Sequence, residues 1–235
     1  MFDALAFKGI WKRHTPDAVL AKLRALQAAA EALPANFGGP TPGAGSILSS
    51  VRVTLLSDTV VMGIGVKPVK QPTPALPQAF VDSVALMFLS RCVGVFLYEA
   101  AREQPVLAYR GAISFGEHTI DDRFVVGPAI DDAAEHMNLP SGALVWFTPT
   151  AMDALAASNS VIPPGILDAA AVPYRVPLTG GGSIAARVAN PFAELSPSAD
   201  PSAWIATLLG SFGEPSACVR LLRDNTDAFL DAASA

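Results

Sequence analysis

The fold of this chain is decided by residues 47–66, which read ILSSVRVTLLSDTVVMGIGV. The segment is rich in β-branched residues, which favour strands. Ser57 and Asp58 interrupt the apolar pattern, and both residue types are favoured in tight turns. We therefore predict strands over residues 47–56 and 59–66, and the short turn between them makes the pair an antiparallel hairpin.

Strand and helix patterns alternate on both sides of this hairpin. Residues 1–7 form a short apolar strand, and residues 15–17, Thr-Pro-Asp, provide the cap, the proline and the acidic residue that mark a helix start. Residues 78–103 are predicted to form a long buried helix. The other predicted elements are strands within 106–117 and 124–130, a helix over 131–137, a strand over 144–147, a short helix capped by Thr148, and one or two helices after Trp204. No element is predicted for the proline- and glycine-rich region 159–203.

This order of elements combines an antiparallel hairpin with helices that cross over between strands. It predicts an α+β protein, a ferredoxin-like sandwich in which helices cover one face of a mixed or antiparallel sheet. In such a sheet the first strand is central and lies beside the hairpin. We find no internal repeat and no shift in composition, so we predict a single domain over residues 1–235, with a core over about 1–158 and a C-terminal extension, 159–235, packed on it.

The composition is typical of a packed globular protein and excludes several classes of partner. Hydrophobic residues make up 51% of the chain and charged residues 16%, and the formal net charge of −5 provides no basic surface for nucleic-acid phosphates. The most apolar stretch, residues 80–101, contains three charged side chains, so a buried helix fits it better than a membrane span. We therefore expect a cytoplasmic protein with neither a nucleic-acid duplex nor a membrane as partner.

Two carboxylates stand out by their predicted positions, Asp3 in the first strand and Asp58 at the tip of the hairpin. Because the first strand is predicted to lie beside the hairpin, both side chains can converge at one end of the sheet. Two neighbouring carboxylates repel each other unless a cation lies between them, and Mg²⁺ and Mn²⁺ favour an all-oxygen site of this kind. The alternative is that Asp58 only stabilises the turn and that Asp3 belongs to an exposed strand end.

Five short segments carry a resemblance to a known family. They are FDALAFKG (2–9), LLSDTVVM (55–62), YRGAISFGE (109–117), VVGPAIDDAAE (125–135) and RDNTDAFL (223–230). In this order they resemble the motifs of the catalytic domain of class III adenylate and guanylate (nucleotidyl) cyclases. They are most similar to the divergent bacterial variants of that family, which include the pyrimidine cyclases of anti-phage signalling.

The resemblance implies a metal-dependent enzyme that converts a nucleoside triphosphate into a 3′,5′-cyclic nucleotide and pyrophosphate. It implies that Asp3 and Asp58 are the catalytic residues and hold Mg²⁺ or Mn²⁺, with Ala4 beside them in the metal site. It also implies a homodimer whose active sites are shared between the subunits. The residues that it implies in nucleotide binding are Ala4, Leu5, Ala6 and Phe7, whose backbone would contact the phosphates, together with Thr54, Phe124 and Arg110.

Four positions depart from the cyclase pattern. The asparagine and arginine that stabilise the transition state in the family correspond here to Asp131 and Glu135, and a glutamate opposes the stabilisation that an arginine provides. The lysine and aspartate that recognise a purine correspond to Thr54 and Phe124, which is compatible with a pyrimidine cyclase. Other cations available to the site are Lys8, Arg110 and Arg123. The alternative function is therefore a catalytically inactive pseudo-cyclase, a module that binds nucleotide or only dimerises.

Overall fold

The chain is an α+β protein in the computed structural model, which describes residues 1–5, 7, 10–36, 51–56, 58–66, 77–121, 124–157, 164–195, 200–212 and 217–234. The helices in these residues are α1 (Pro16–Asn36), α2 (Gln78–Arg102), α3 (Pro128–His136), α4 (Pro149–Ala156), α5 (Pro164–Ala170), α6 (Ser202–Gly210) and α7 (Ala217–Ser234). The strands are β1 (Phe2–Leu5), β2 (Arg52–Leu56), β3 (Thr59–Gly63), β4 (Ala108–Ile113), β5 (Thr119–Ile120), β6 (Val125–Val126), β7 (Val145–Phe147), β8 (Ala171–Pro177) and β9 (Ser183–Ala189).

Seven of these strands form one mixed sheet in the order β2-β3-β1-β4-β7-β9-β8. Neighbouring strands are antiparallel except β4 and β7, which are parallel. The other two strands, β5 and β6, pair with each other as a separate ribbon. The first strand therefore lies between the hairpin and β4, which confirms the prediction that it is central and lies beside the hairpin.

The predicted hairpin is present as β2 and β3, whose register pairs Leu56 with Thr59 across the turn. The first four residues of the predicted hairpin, 47–50, lie outside the described residues. The long predicted helix is present as α2, within one residue of its expected end. These elements were predictable because their sequence patterns are local, in β-branched content for the strands and in apolar content and length for the helix.

The region after α4 contains more regular structure than the sequence predicted. Its prolines and glycines indicated loops, but β8 and β9 form a hairpin that pairs over seven residues on each strand. Gly181 and Gly182 form the turn, with φ angles of 90° and 78° that favour glycine. Pro173 and Pro177 are tolerated because β8 is an edge strand, where fewer amides are needed for pairing.

Helices cover both faces of the sheet, whereas the sequence predicted cover on one face. Because side chains alternate along a strand, Val145 and Phe147 of β7 pack into a first core with α1, α2 and α4. Trp146 between them packs into a second core on the opposite face with α6 and α7. The apolar residues of these last helices, such as Trp204 and Phe229, indicated burial but not the face of the sheet that they would cover.

Helix α2 packs along the first face. It is long and apolar enough to cross a membrane, but 50% of its most apolar window is buried within the protein. The Ser90 hydroxyl donates a hydrogen bond to the Ala170 carbonyl at 2.9 Å, and Gly94 lies directly against the backbone of Asn190. These contacts place α2 in the core of the protein, as the sequence predicted.

Thr226 joins α7 to the residues that precede β7. Its fully buried hydroxyl accepts a hydrogen bond from the Ala143 amide at 2.8 Å and donates to the Leu222 carbonyl. Valine keeps the shape of threonine but leaves the Ala143 N–H without this acceptor, which costs about 1–3 kcal/mol. We expect Thr226→Val to lower the free energy of unfolding in urea by this amount. The exposed variant Thr207→Val is the matched control, and an equal loss in both variants would contradict the role of the buried hydrogen bond.

Candidate functional site

The two aspartates singled out in the sequence lie next to each other in the fold. In the register of β1 and β3, Asp3 lies opposite Thr59, the residue that follows Asp58. The Ala4 amide donates a hydrogen bond to the Asp58 carbonyl at 3.0 Å, which holds the tip of the hairpin beside the first strand. Asp3 and Asp58 therefore lie beside each other at one end of the sheet.

Arg110 forms an ion pair with Asp3. The two residues lie opposite each other in the register of β1 and β4, and Arg110 Nε is 3.7 Å from Asp3 Oδ1. This separation is too long for a hydrogen bond, so the interaction is electrostatic. The guanidinium is also held by Asn138, since its Nη2 donates a hydrogen bond to Asn138 Oδ1 at 2.8 Å. Arg110 is thus positioned by the loop after α3 as well as by the charge of Asp3.

Three polar side-chain atoms in this region are buried and have no hydrogen-bond partner: Asp3 Oδ1, Tyr109 Oη and Arg110 Nε. In the described part of the chain these are all the buried side-chain atoms of this kind. Buried polar atoms are nearly always paired, and an unpaired one costs about 1–3 kcal/mol. We call Asp3, Asp58, Tyr109 and Arg110 the aspartate cluster. Asp3 Oδ1 and Arg110 Nε face each other across the ion pair, whereas Tyr109 alternates with Arg110 along β4 and its ring packs in the first core.

The electrostatics of the aspartate cluster are unfavourable for two negative charges. Burial raises the pKa of Asp3, the positive charge of Arg110 lowers it, and the negative charge of Asp58 raises it again. Burial also raises the pKa of Tyr109, and the charges of Asp58 and Asp3 raise it further. Both aspartates therefore act on the same neighbours, which places their charges within interaction range of each other.

The aspartate cluster fits a divalent cation that arrives with phosphate groups. A cation between Asp3 and Asp58 would relieve their mutual repulsion. Mg²⁺ is commonly held by one or two carboxylates, with water and phosphate oxygens as its other ligands. Within the described ranges, no three His, Cys, Asp or Glu side chains are grouped to hold a metal by themselves. The two aspartates could hold a divalent cation whose other ligands are water or phosphate oxygens.

The segment after Asp3 offers mainly its backbone to a ligand. The Ala4 side chain is buried in the first core, and Leu5 packs against the second core. Phe7 packs edge-to-face against Trp11, with ring centroids 5.9 Å apart. The resemblance implied phosphate contacts from this backbone, and the side-chain positions of Ala4 and Leu5 are compatible with that role. The two other residues considered in this segment, Ala6 and Lys8, lie outside the described residues.

The other predicted nucleotide-binding and transition-state positions are more scattered. Thr54 lies opposite Val61 in the hairpin, so it is on the same sheet face as Asp3. Phe124 is 63% exposed beside the β5–β6 ribbon. Asp131 and Glu135 are both exposed on α3. Among the described residues, no hydrogen bond or ion pair joins any of these four side chains to the aspartate cluster. Arg123, which was considered as another cation for the site, lies outside the described residues.

Sequence reasoning missed two members of the site, Tyr109 and Asn138. Tyr109 carried a weak signal, because a tyrosine in an otherwise apolar strand needs a partner for its hydroxyl. Asn138 carried no signal in the sequence, because it follows Arg110 by 28 residues and contacts it only through the packing of α3 on β4. Arg110 itself was predicted only through the resemblance, and its ion pair with Asp3 depends on the register of β1 and β4.

A second polar group near the site has a structural role. Asp132 Oδ2 accepts hydrogen bonds from the hydroxyls of Thr148 and Thr150, each at 2.7 Å. His136 Nδ1 lies 3.1 Å from Asp132 Oδ1, and the His136 ring lies beside Trp146. These contacts tie α3 to the start of α4, and each carboxylate oxygen of Asp132 has a partner. The group differs in this respect from the aspartate cluster.

Comparisons of the chain with protein-family models, with curated proteins and with solved structures found no match. The aspartate cluster and the motifs that contain it are therefore the basis of the function proposed below.

The raised pKa of Asp3 predicts a pH dependence of stability. Between the ordinary pKa of 3.8 and the higher pKa in the folded state, the folded protein binds more protons than the unfolded chain. Stability therefore falls as the pH rises through this window. We expect the unfolding free energy of the wild-type protein, relative to Asp3→Asn, to decrease as the pH rises above about 4 in metal-free urea titrations. A relative stability that increases over this range would mean that the pKa of Asp3 is lowered instead.

Proposed function

We propose that this chain is a divergent, metal-dependent nucleotidyl cyclase that converts a nucleoside triphosphate into a 3′,5′-cyclic nucleotide and pyrophosphate. The observation that carries the proposal is the aspartate cluster, where Asp58 at the hairpin tip lies beside the first strand and its charge acts on Asp3, with Arg110 next to them. Two neighbouring carboxylates repel each other, so a protein with only a scaffolding role gains nothing from this arrangement. Asp3 and Asp58 also lie within the two segments that resemble the metal-binding motifs of class III cyclases.

The strand order supports a ferredoxin-like core for this proposal. Strands β4, β1, β3 and β2 are neighbours in that order and are all antiparallel, with α1 between β1 and β2 and α2 between β3 and β4. A βαββαβ unit of this kind is the ferredoxin-like arrangement, and it is the fold that the resemblance to cyclases implies. In this interpretation, β7, β9 and β8 extend the core sheet beyond β4.

The residues of the cluster have distinct roles in the proposed reaction. Asp3 and Asp58 would hold Mg²⁺ or Mn²⁺ together with the triphosphate, and the cation would lower the pKa of the ribose 3′-hydroxyl and neutralise phosphate charge. Arg110, held by Asn138, places a positive charge beside the phosphates. The 3′-oxygen loses its proton and bonds to the α-phosphorus, and the bond from that phosphorus to the β-phosphate breaks to release pyrophosphate.

The proposal includes a pyrimidine nucleotide as substrate, a homodimer and a cytoplasmic location. Neither Thr54 nor the exposed Phe124 offers the charged groups that recognise a purine in the family, which favours a pyrimidine. The dimer follows from the resemblance, which implies sites shared between subunits. Light scattering with metal and nucleotide present tests this point, and a dilute monomer under those conditions would contradict it.

A second function, a pseudo-cyclase that binds nucleotide without turnover, is favoured by a different observation. The family's transition-state asparagine and arginine correspond to two exposed carboxylates on α3, Asp131 and Glu135. Negative charge there opposes the stabilisation of a phosphoryl group. The ion pair of Asp3 with Arg110 also neutralises part of the cluster without any metal.

The test of the proposal is incubation of the purified chain with Mn²⁺ and each of the four ribonucleoside triphosphates, with mass spectrometry of the products. We expect a 3′,5′-cyclic nucleotide from a pyrimidine triphosphate, with pyrophosphate in equal amount. Tight binding of the metal–nucleotide complex without product would support the pseudo-cyclase. The absence of both binding and product, with the protein folded, would overturn both functions.

A further inference from the structure

A cavity of about 230 Å³ lies at the end of β3 and β4 that is opposite to the hairpin tip. It is bordered by α2, by the ends of these two strands, by β5 and by the start of α3, and it opens to solvent beside Phe115 and Glu117. Its apolar wall is formed by Met62, Leu86, Leu89, Ile113, Ile120 and Ala129. Each of these residues is no more than 9% exposed, so the wall of the cavity is formed by residues of the packed core.

The cavity is large enough for a small ring compound. An apolar cavity of about 150 Å³ in a protein interior can bind benzene. Ligand sites in proteins combine an apolar wall of this kind with a few polar groups that fix the orientation of the ligand. The polar groups at this cavity therefore indicate the chemical class of a ligand.

The ionisable side chains on the cavity are Asp82, Glu117 and His118. No lysine or arginine side chain lines it within the described residues, and no ion pair among those residues neutralises Asp82 or Glu117. Gln78 Nε2 donates a hydrogen bond to Asp82 Oδ1 at 2.7 Å, which holds this carboxylate at the first turns of α2. The Met1 α-amino group also lines the cavity, where it donates a hydrogen bond to the Ala112 carbonyl and burial lowers its pKa to about 5. Near pH 7 the two carboxylates therefore give the site a negative potential, which attracts a cation and repels an anion.

We propose that this cavity is a binding site for a small organic amine with an apolar ring. The ring occupies the wall between α2, β3 and β4, and the protonated nitrogen faces Asp82 and Glu117. A charge-assisted hydrogen bond from an ammonium group to a carboxylate supplies both strength and orientation. This site is separate from the aspartate cluster, because it lies at the opposite end of β3 from the hairpin tip and neither Asp3 nor Asp58 lines it.

The test uses two probes with the same ring and opposite charge, 2-(2-naphthyl)ethylamine and 2-naphthylacetate, added to the full chain without metal or nucleotide. Isothermal titration calorimetry and the thermal unfolding midpoint give the affinities. We expect saturable binding of the amine and binding of the carboxylate that is at least about tenfold weaker. The double variant Asp82→Asn, Glu117→Gln is expected to remove this difference between the probes.

Filling the cavity provides the second part of the test. Ala85 lines the cavity and is 6% exposed, so Ala85→Leu places additional atoms in it and is expected to abolish binding of the amine. Ala129→Val serves the same purpose if Ala85→Leu does not fold. The proposal is overturned if neither probe binds, if both bind the wild-type protein equally, or if a folded, filled variant binds the amine unchanged. Asp58→Asn is expected to bind the amine like the wild-type protein, so failure of the proposed cyclase activity would be a separate result.

Discussion

Replacing Asp58 with asparagine is expected to lower the rate of cyclic nucleotide formation by at least about 100-fold, because a charged group that stabilises the reacting phosphates is lost. Asparagine has the size of aspartate and also favours turns, so the tip of the hairpin is expected to fold as before. The backbone contact between the Asp58 carbonyl and the Ala4 amide does not depend on the side chain. The variant therefore removes charge from the aspartate cluster with little effect on its backbone.

The Asp58→Asn variant also shows whether Asp58 binds a metal or only stabilises the turn. In the wild-type protein, Mn²⁺ with a triphosphate is expected to raise the midpoint of thermal unfolding, and in the variant this rise is expected to disappear. Without metal, the variant is expected to be at least as stable as the wild-type protein, because the repulsion between Asp58 and Asp3 is relieved. Asp153→Asn, an exposed aspartate on α4, is the matched control. A variant that loses stability without metal and keeps its activity would assign Asp58 to the turn alone.

The sequence allowed prediction of the elements whose patterns are local. The hairpin of β2 and β3 follows from its β-branched content and from the turn at Asp58, and α2 follows from its apolar length. The hairpin of β8 and β9 was missed because Pro173, Pro177 and the glycines of its turn are typical of loops. Only the place of β8 at the edge of the sheet explains why these prolines are compatible with a strand.

The candidate site could be predicted from the sequence only in part. The approach of Asp3 and Asp58 follows from one topological expectation, a central first strand beside the hairpin. The burial of the Tyr109 hydroxyl could not be predicted, since it depends on edge-to-face packing of its ring against Phe2 and Phe96, with centroids 5.6 and 5.3 Å apart. The contact of Arg110 with Asn138 depends on long-range packing in the same way. Tertiary contacts therefore complete a site for which the sequence indicates only the carboxylates.

Replacing Gly111 with alanine is expected to lower the free energy of unfolding by about 1–3 kcal/mol or more, because a well-packed site has to accept an extra methyl group. Gly111 lies opposite Phe2 in the register of β1 and β4. A Cβ atom at this position would fall well inside van der Waals contact with the backbone of Met1 and Phe2. Backbone atoms cannot rotate away as a side chain can, so β1 has to move. Urea unfolding monitored by circular dichroism measures the loss.

The same substitution tests whether the packing of β1 sets the geometry of the aspartate cluster. Asp3 follows Phe2 directly and pairs with Arg110, the neighbour of Gly111, so a shift of β1 changes the separation of Asp3 from both Arg110 and Asp58. We therefore expect Gly111→Ala to weaken binding of Mn²⁺ and triphosphate as well as stability. Gly210→Ala is the control, because a Cβ atom at that helical position meets no other atom within 4 Å and alanine favours helices. If Gly111→Ala lost stability but bound the metal–nucleotide complex like the wild-type protein, the position of Asp3 would be set by the hairpin tip and not by its pairing with β4.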